Sequence, residues 1–555
     1  MEPVPARARP AQNLLHLLSM PFKMRQLGAM HTTASSTFSP SSAPASVPRL
    51  RLGKVCVAVQ GTTPAELLSR AETALADVRF LELRFDALAK PAPAMSKVRE
   101  FLSERRDVIV IGTCRRKPNG GSFTGTLSAE LEMLLKAAEI GCQIVDLEVE
   151  SAEQMTKAQM AKFRAALRET STALLISFHD YTRTKGLDQA AARIETFEPD
   201  YVKVVSTARS LADNLVVLKM IEDHSLSSHV IGIAMGEEGL ISRVLGPREG
   251  GVFTFASTGN GEATAPGQIS ARTLLDLYRI DQLDQATRIF GVAGNPISHS
   301  LSPLMHNTAF RRENVNAIML PLKVKALDDL LRVVQDLPLG GVAVTMPLKQ
   351  EVLPHLANMD PLTAKIGACN TLRTGADGKL YGFNTDVAGV IRPLEKRIKL
   401  KGARILVLGA GGAARAAVFG LVDQGAEVFV VNRTHETAVA LARKAHAKSL
   451  KHEVLAKQKF DIIINTTPCG MVGMKPALPL KENELNTNIV FDLVYNPMVT
   501  PLLKLAVTKG LTVISGVEMF VQQGARQFEI WTGKPAPEHE MLRVVELELR
   551  KRAEN

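Results

Sequence analysis

Eight short apolar runs recur between residues 55 and 256, and stretches with helical periodicity separate most of them. The runs are Val55–Val59, Phe80–Phe85, Val108–Thr113, Gln143–Glu148, Ala173–Phe178, Tyr201–Val205, Val230–Met235 and Val252–Ala256. The clearest helical stretches are Ala65–Ala76, Ala129–Ile140 and Leu211–Asp223. This alternation predicts a closed parallel (β/α)8 TIM barrel. A doubly wound open sheet is the alternative, because no clear helical pattern separates the last two runs.

Polar residues at the ends of these runs are the candidates for chemistry, because a barrel of this kind carries its active site at the C-terminal strand ends. Lys203 lies inside the apolar run YVKVV, and His179 ends the preceding run in SFHD. A buried lysine whose pKa is lowered becomes an amine nucleophile toward carbonyl groups. The alternative is a lysine that reaches water or pairs with Glu82. Three arginines follow neighbouring runs, namely Arg84, Arg115 and Arg243.

A second α/β region begins near Ile289 and contains a strand-turn-helix pattern typical of dinucleotide binding. The apolar run Ala403–Leu408 is followed by GAGGA, residues 409–413, and a helix is predicted from about Ala413. Glycines in such a turn allow the backbone to approach a pyrophosphate at the helix N-terminus. The next strand ends in Asn432, Arg433 and Thr434 rather than in an acidic residue. A cation there suits a ribose 2′-phosphate and predicts NADP, with a solvated loop arginine as the alternative.

Upstream of this turn, several short polar motifs are candidates for a substrate site. GNPISHSLSP contains Ser300 and Ser302, and VAVTMPLKQ contains Thr345 and Lys349. GACNTL contains Asn370, and YGFNTDVAG contains Asn384, Thr385 and Asp386. Each motif alone is typical of helix caps and turns.

The segments LELRFD, GTCRRKPNGG, SFHD, YVKVV, GEEGLISR and TAPGQ resemble, in order and spacing, those of type I 3-dehydroquinate dehydratase. The resemblance implies a (β/α)8 barrel that converts 3-dehydroquinate to 3-dehydroshikimate through an imine. It implies that Lys203 forms the Schiff base, that His179 transfers protons and that Glu82 orients His179. The substrate-binding residues that it implies are Arg84, Arg115, Arg243, Thr264 and Gln268.

The chain from about Ile289 onward resembles shikimate dehydrogenase, and NTTPCGM and GVEMFVQQ add to the match. The resemblance implies Lys349 and Asp386 as the catalytic pair and NADP as the cofactor. The substrate-binding residues that it implies are Ser300, Ser302, Thr345, Asn370, Tyr495 and Gln523. The cofactor-binding residues are Gly409, Ala410, Gly411, Gly412, Ala413, Asn432, Arg433, Thr434, Thr466 and Met519. Leu348, Gln350 and Cys369 depart from the His, Glu and Val common in the family.

The two resemblances together imply a two-enzyme chain for consecutive steps of the shikimate pathway of aromatic amino acid biosynthesis. We expect a disordered tail at 1–48, a dehydratase barrel at 49–282 and a dehydrogenase at 283–555. Within the dehydrogenase we expect a substrate domain at about 287–393, completed by C-terminal helices, and a Rossmann domain at about 394–520. A helix expected within Thr273–Ala286 places the boundary. The alternatives are a dehydrogenase tuned to quinate with NAD, against which Ser302 and Arg433 argue, and a non-catalytic metabolite-sensing regulator.

The two resemblances imply small-molecule partners, namely 3-dehydroquinate, 3-dehydroshikimate and shikimate. The net charge of +11 is not concentrated on a basic face with interleaved aromatic residues, so we expect no nucleic acid. No apolar run approaches the roughly 18 residues of a membrane span. The five cysteines form no CxxC pair, so we expect no metal and a reducing compartment. We expect a cytoplasmic location, or a plastid if the tail is a transit peptide, and the oligomeric state stays open, a monomer included.

Overall fold

The computed structural model describes residues 50–259, 264–474 and 477–554. The tail predicted at residues 1–48 lies outside the described residues. Among the described residues, no helix combines the length and the apolar character needed to cross a membrane.

Eight parallel strands form the first sheet, as the sequence pattern predicts. They are β1 Val55–Gln60, β2 Phe80–Arg84, β3 Ile109–Thr113, β4 Ile144–Glu148, β5 Ala173–His179, β6 Tyr201–Thr207, β7 Val230–Met235 and β8 Thr254–Ala256. Consecutive strands pair from β1 to β7, and β8 pairs with β1. The backbone N–H of Val252 donates to the Val230 carbonyl at 2.9 Å, which links the chain entering β8 to β7. The sheet is therefore a nearly closed barrel, and the open-sheet alternative is wrong.

Helices cover the outside of the barrel. They are α1 Pro64–Leu75, α2 Pro91–Ser103, α3 Leu127–Glu139, α4 Val149–Glu153, α5 Lys157–Glu169, α6 Leu187–Glu195, α7 Asp213–His224 and α8 Leu240–Leu245. Threonine side chains cap the first turns of α1, α3 and α5. The six-residue α8 fills the interval between β7 and β8, where the sequence shows no clear helical period. Thr273–Leu277 forms a short π-helix and Ile280–Gln282 a 3-10 turn, so the helix expected within Thr273–Ala286 covers only the start of that stretch.

A second sheet of six strands follows the barrel. Its strands are β9 Arg288–Gly294, β10 Ala317–Lys323, β11 Leu339–Val344, β12 Asn358–Met359, β13 Thr371–Thr374 and β14 Leu380–Phe383, in the order β10-β9-β11-β13-β14-β12. Its helices are α9 Ser302–Arg312, α10 Leu327–Asp336, α11 Pro361–Ile366 and α12 Asp386–Glu395. Because β9, β10 and β11 are parallel, the loops that follow them lie at one edge of the sheet.

The third sheet is entirely parallel. Its strands are β15 Arg404–Leu408, β16 Glu427–Val431, β17 Lys448–Ser449, β18 Ile462–Asn465, β19 Ile489–Asp492 and β20 Thr512–Ile514, in the order β17-β16-β15-β18-β19-β20. Its helices are α13 Gly412–Asp423, α14 His435–Ala445 and α15 Pro501–Thr508. This order reverses beside β15, the first strand, which is the Rossmann arrangement with its binding crevice at the reversal point.

The last two helices, α16 Gly516–Thr532 and α17 Glu538–Glu554, return to the second sheet. The indole N–H of Trp531 on α16 donates to the Leu372 carbonyl of β13 at 2.9 Å. Phe528 and Trp531 of α16 share a buried apolar cluster with Phe290 of β9 and Phe310 of α9. The C-terminal helices therefore contribute to the core around the second sheet.

Candidate active sites

A buried ion-pair network surrounds Lys203 inside the barrel. Its Nζ lies 3.0 Å from Asp146 Oδ2 and 3.5 Å from Glu82 Oε1, and it sits 4.1 Å from the centre of the Phe255 ring. Glu82 Oε1 also accepts from the Thr113 hydroxyl at 2.9 Å. The amine is thus fixed by oppositely charged groups on β4 and β2 and shielded from water by an aromatic ring.

Asp146 is the functional candidate that sequence reasoning missed. Besides Lys203, it binds the Arg115 guanidinium at 2.6 Å and accepts from the Ser177 hydroxyl at 2.6 Å. Burial by itself would raise the pKa of Asp146, but the Arg115 and Lys203 cations outweigh it and hold the pKa well below its ordinary value. The available signal was an acidic residue within the apolar run IVDLE of β4, analogous to the lysine in YVKVV.

His179 is the last residue of β5, which pairs with β6, the strand that carries Lys203. The paired residues are Ser177 with Lys203 and His179 with Val205. Burial, followed by the Arg115 and Lys203 cations, holds the pKa of His179 well below its ordinary value. Within the described residues its Nδ1 has no hydrogen-bond partner. The ring is therefore a neutral base beside the lysine at neutral pH.

The predicted contact between Glu82 and His179 is not part of the hydrogen-bond network. Glu82 instead binds Thr113 and Lys203. The coulombic partners that act on the imidazole are Arg115, Lys203, Asp146 and Arg84.

The three predicted arginines differ in how their charges are balanced. Arg84 forms a bidentate pair with Asp86, with both N···O distances at 2.8 Å. Arg115 binds Asp146 and Glu148 and donates to Ser177. Arg243 on α8 has no carboxylate partner among the described residues, and its Nη1 donates to the Phe255 carbonyl at 2.7 Å. Burial lowers the pKa of Arg243 to about 10. An anionic ligand group would satisfy this buried cation.

Thr264 and Gln268 lie close together at the rim of the barrel. The backbone N–H and the hydroxyl of Thr264 both donate to the Gln268 side-chain oxygen, at 2.8 and 3.1 Å. Residues 260–263 of the same loop lie outside the described residues.

The second site is organised by a direct ion pair between Lys349 and Asp386, at 2.5 Å. Asp386 begins α12, and its other carboxylate oxygen accepts from the Asn370 amide at 2.8 Å. Asn370 accepts from the backbone N–H of Thr385 at 2.7 Å and from the Thr371 hydroxyl at 2.8 Å. The carboxylate is buried and held on both sides, whereas the lysine is partly accessible and can meet a ligand.

A glutamine outside the predicted set supports this arrangement. Gln527 on α16 donates to the Thr371 hydroxyl at 3.1 Å and to the Asn370 carbonyl at 3.3 Å. Its oxygen lies 3.2 Å from Nε2 of the buried His306, and burial lowers the pKa of His306 to about 4. No local motif identifies Gln527, because its partners are more than 150 residues away in the chain.

The other predicted substrate residues surround the same edge of the second sheet. Ser300 and Ser302 follow β9, Thr345 follows β11, and these strands are parallel neighbours. Gln523 and Met519 on α16 pack against Gly389, one turn along α12 from Asp386. Tyr495 follows β19 and stacks on Phe520 at 4.8 Å between ring centres. Leu348 and Cys369, two of the family departures, are buried in the core.

The turn after β15 is shaped to admit a dinucleotide. Gly409 has a φ of +114°, and a Cβ there would lie 2.5 Å from the Thr466 hydroxyl. A Cβ on Gly411 or Gly412 would meet nothing within 4 Å, so the space beside the N-terminus of α13 is open. Ala410 and Ala413 complete the turn. The turn and the helix N-terminus fit a pyrophosphate group.

The second strand of this sheet, β16, ends in the predicted ribose-side residues. The Asn432 amide donates to the Thr434 carbonyl at 3.0 Å and the Thr437 hydroxyl at 2.6 Å. Arg433 and Thr434 are exposed beside it. Across the crevice, the Thr466 hydroxyl donates to the Leu408 carbonyl at 2.6 Å. Among the described residues, no group of three His, Cys, Asp or Glu side chains is placed to hold a metal ion.

Four family models match the chain in succession. Type I 3-dehydroquinase matches residues 55–285, and the shikimate dehydrogenase substrate binding domain matches 292–372. Shikimate/quinate 5-dehydrogenase matches 393–477, and the shikimate 5′-dehydrogenase C-terminal domain matches 516–546.

The chain is also similar to several known proteins over one half or both halves of its length. The chain is 35% identical to the bifunctional 3-dehydroquinate dehydratase/shikimate dehydrogenase, chloroplastic, of Arabidopsis thaliana, over 77% of this chain and 73% of that protein. It is 39% identical to a shikimate dehydrogenase (NADP(+)) of Maridesulfovibrio salexigens, over 44% of this chain and 92% of that protein. A crystal structure of shikimate 5-dehydrogenase from Thermus thermophilus, in complex with NADP(H) and shikimate, is 36% identical, covering 47% of this chain and 98% of that one, with a TM-score of 0.44.

Proposed function

The chain belongs to the family of bifunctional 3-dehydroquinate dehydratase/shikimate dehydrogenases, and from this premise we propose that it converts 3-dehydroquinate to shikimate in two steps of the shikimate pathway, at two separate sites. The observation that carries the proposal is that the buried Lys203 amine and the neutral His179 ring lie on adjacent paired strands, close enough for the Lys203 cation to lower the pKa of His179. The dehydrogenase half provides the second site, built on Lys349 and Asp386.

In the first step, the Lys203 amine condenses with the ring ketone of 3-dehydroquinate, forming an imine and releasing water. His179 removes the proton beside the imine carbon, and the imine nitrogen accepts the resulting electron pair. His179 then returns the proton to the departing ring hydroxyl, which leaves as a second water. Hydrolysis of the imine releases 3-dehydroshikimate and restores the amine. Asp146 and Glu82 hold the Lys203 amine in position during these steps.

Arg243 anchors the substrate carboxylate in this proposal. It is the arginine at the site without a carboxylate partner in the described part of the chain, so the anionic substrate supplies its missing counter-charge. Arg84 and Arg115 are already bound to acidic groups and act on the substrate through fixed hydrogen-bond donors. Thr264 and Gln268 close the same side and contact the ring hydroxyls.

In the second step, Lys349 donates the proton that converts the 3-dehydroshikimate ketone to a hydroxyl. NADPH, when bound, would supply the hydride. Asp386 orients the Lys349 ammonium group toward the substrate and balances its charge. The Asn370 amide holds the Asp386 carboxylate in position. Ser300 and Ser302 hold the carboxylate, while Thr345, Asn370, Tyr495 and Gln523 contact the ring. The residues that would hold the cofactor are Gly409, Ala410, Gly411, Gly412, Ala413, Asn432, Arg433, Thr434, Thr466 and Met519.

We further propose the domain division 49–282 and 283–555, with residues 1–48 as a separate tail. The family matches support a change of function between residues 285 and 292. The Arabidopsis thaliana relative is chloroplastic, which supports plastid import as the alternative to a cytoplasmic location. Expression of residues 1–48 fused to a fluorescent protein in plant cells separates the two locations.

Trapping of the imine tests the proposal most directly. Borohydride added during turnover of 3-dehydroquinate should reduce the imine and leave a covalent adduct that peptide mass spectrometry locates on Lys203. Lys219, which pairs with Asp223 on the outer surface of the barrel, offers a matched lysine control. The Lys203→Ala variant should remain unmodified and the Lys219→Ala variant should be modified like the parent protein. An unmodified parent protein that still turns over would eliminate the imine mechanism.

The regulator alternative makes a different prediction in a coupled assay. Purified protein given 3-dehydroquinate and NADPH should oxidise the cofactor and accumulate shikimate in equal amounts. The chain retains the residues proposed as nucleophile and proton-transfer groups, Lys203, His179, Lys349 and Asp386, which supports an enzyme rather than a sensor. A protein that binds both compounds without converting them would support the regulator.

A further inference from the structure

The end of β10, in the dehydrogenase half, lies against the catalytic rim of the barrel. We call the four charged residues that meet there, Lys323, Lys325, Glu237 and Glu238, the junction cluster. Lys323 lies 2.5 Å from Glu237 and 3.4 Å from Glu238, and Lys325 lies 2.9 Å from Glu238. Lys325 also donates to the Arg209 carbonyl, in the loop after β6, at 3.3 Å.

The junction cluster is more than an exposed ion pair. The Glu238 side chain is only 12% exposed, and it is shared between two lysines. The carbonyl of Glu238 accepts from the Asn214 amide of α7 at 2.7 Å, and Asn214 is itself buried. Exposed pairs contribute little because water and salt screen them, but a shared and largely buried carboxylate is held in one place.

The turn that contains Glu237 and Glu238 supports the segment that carries Gln268. Gly236 has a φ of +91° and donates its backbone N–H to the Pro266 carbonyl at 3.1 Å. A Cβ on Gly267 would lie 2.2 Å from the Gly236 carbonyl, so the two backbones are in direct contact. Movement of this turn would therefore displace Gln268 and, through the hydrogen bond between their side chains, Thr264.

The same turn also leads into the helix that carries Arg243. Gly239 packs against the Ala234 carbonyl, where a Cβ would lie at 2.1 Å. The Ser242 hydroxyl donates to the Gly239 carbonyl at 2.9 Å, and the Ser242 backbone N–H donates to Asn214 at 2.9 Å. The segment that carries Gln268 and the helix that carries Arg243 thus both pack against the turn of Glu237 and Glu238. Lys323 and Lys325 of the dehydrogenase half hold that turn in place.

We propose that Lys323 and Lys325 are positioning residues of the dehydratase, although they belong to the dehydrogenase half. By holding Glu237 and Glu238, they fix the turn that sets the positions of Arg243 and Gln268 around the substrate. The inference rests on the proposed dehydratase function. It adds that residues of the dehydrogenase half contribute to the affinity of the dehydratase for its substrate. The two halves are therefore coupled by geometry in addition to sharing an intermediate.

Removal of both lysine charges tests this coupling in the full chain. In the Lys323→Ala/Lys325→Ala variant, KM for 3-dehydroquinate should rise by about 3- to 10-fold while kcat changes less than 2-fold, because the chemistry groups stay in place. The dehydrogenase kcat/KM, measured on the same molecules, should stay unchanged. The matched control is Lys136→Ala/Lys219→Ala, which also removes two lysines, each paired with an exposed acid on a barrel helix. Its dehydratase KM should equal that of the parent protein.

Exchange of the charges provides the rescue. Glu237→Lys/Glu238→Lys combined with Lys323→Glu/Lys325→Glu restores opposite charges across the junction and should recover at least half of the lost affinity. If this variant does not fold, a salt titration of the parent and the alanine variant replaces it. Added KCl should narrow the KM difference between the two, because salt screens Glu237 and Lys325, the exposed members of the junction cluster, in the parent, whereas the alanine variant has no such pairs to weaken.

Two results would overturn the inference. One is a junction variant whose dehydratase KM matches that of the control variant. The other is a parallel loss of both activities, which indicates general destabilisation. A parent protein without any dehydratase activity would instead overturn the proposed function itself, so the two failures are distinguishable.

Discussion

Arg243 allows a prediction in which stability and activity change in opposite directions. It is a buried cation without a carboxylate partner in the described part of the chain, and methionine would fill most of its volume without a charge. We expect Arg243→Met to stabilise the ligand-free barrel and to impair the dehydratase severely. If Arg243 were instead a structural residue, its replacement would lower the stability of the barrel as well as the dehydratase activity.

The expected size of each effect follows from the contacts. A pKa of about 10 in place of 12.5 corresponds to a penalty of about 3 kcal/mol on the buried charge. Methionine removes that penalty but loses the hydrogen bond to Phe255, which for a charged donor is worth about 1.5–3 kcal/mol. The balance is a stabilisation of about 1 kcal/mol, or about 2–4 °C in the thermal transition of the barrel. Loss of the substrate carboxylate contact, about 2–5 kcal/mol, should lower kcat/KM by about 30- to 5,000-fold.

Differential scanning calorimetry and initial-rate kinetics measure the two effects on one preparation. Arg84→Met is the matched control, because Arg84 is also buried but forms two 2.8 Å bonds with Asp86. Its loss leaves a buried carboxylate without its partner and should destabilise the barrel by about 3–5 kcal/mol. If Arg243→Met lowers the transition temperature as much as Arg84→Met, the description of Arg243 as an unbalanced cation is wrong. An unchanged kcat/KM would show that Arg243 does not bind the substrate.

Three further predictions concern the dehydrogenase half. Lys349→Ala should reduce 3-dehydroshikimate reduction by about 10²- to 10⁴-fold in a steady-state assay while dehydration continues at the parent rate, and retained reduction would remove Lys349 from the chemistry. Arg433→Ala should raise KM for NADPH by about 10-fold and leave KM for NADH nearly constant, whereas an equal rise for both would make Arg433 structural. The pKa of His306 is about 4 when folded and near 6.5 when unfolded, so between these values only the unfolded state binds the proton, and stability falls as pH falls. The loss should reach about 3 kcal/mol by denaturant titration and should be absent in His306→Gln, and equal acid sensitivity in both proteins would contradict it.

The barrel and the Rossmann domain were predictable from local patterns. The eight apolar runs predict eight strands, and each observed strand overlaps its predicted run. The turn at residues 409–413 predicts the start of α13 to within one residue, because glycine requirements and helix periodicity are local properties of a chain. The short α8 was not predictable in this way, because six residues are too few to show a period.

The sites were predictable only in part. Resemblance to two families predicts Lys203, His179, Lys349 and Asp386 as site residues. In the structure Lys349 pairs directly with Asp386, and Lys203 and His179 lie on adjacent strands. It did not identify Asp146, because an acidic residue in a strand becomes informative only once its neighbours in space are known. The junction cluster could not be predicted from the sequence either, since Lys323 and Glu237 are 86 residues apart in the chain and belong to different domains.

The sequence by itself determined which segments are strands and helices, where the phosphate-binding turn lies and which residue types are available for imine and proton chemistry. These properties depend on side-chain period and on backbone requirements within a few residues. The tertiary structure alone decided which charges meet. Lys203 faces Asp146 across an intervening strand, Glu82 binds the lysine rather than the histidine, and Arg243 is left without a carboxylate among the described residues. The physical reason is that barrel closure and strand register set these distances. Both depend on contacts between residues that are far apart in the chain, so no short segment of the sequence reveals them.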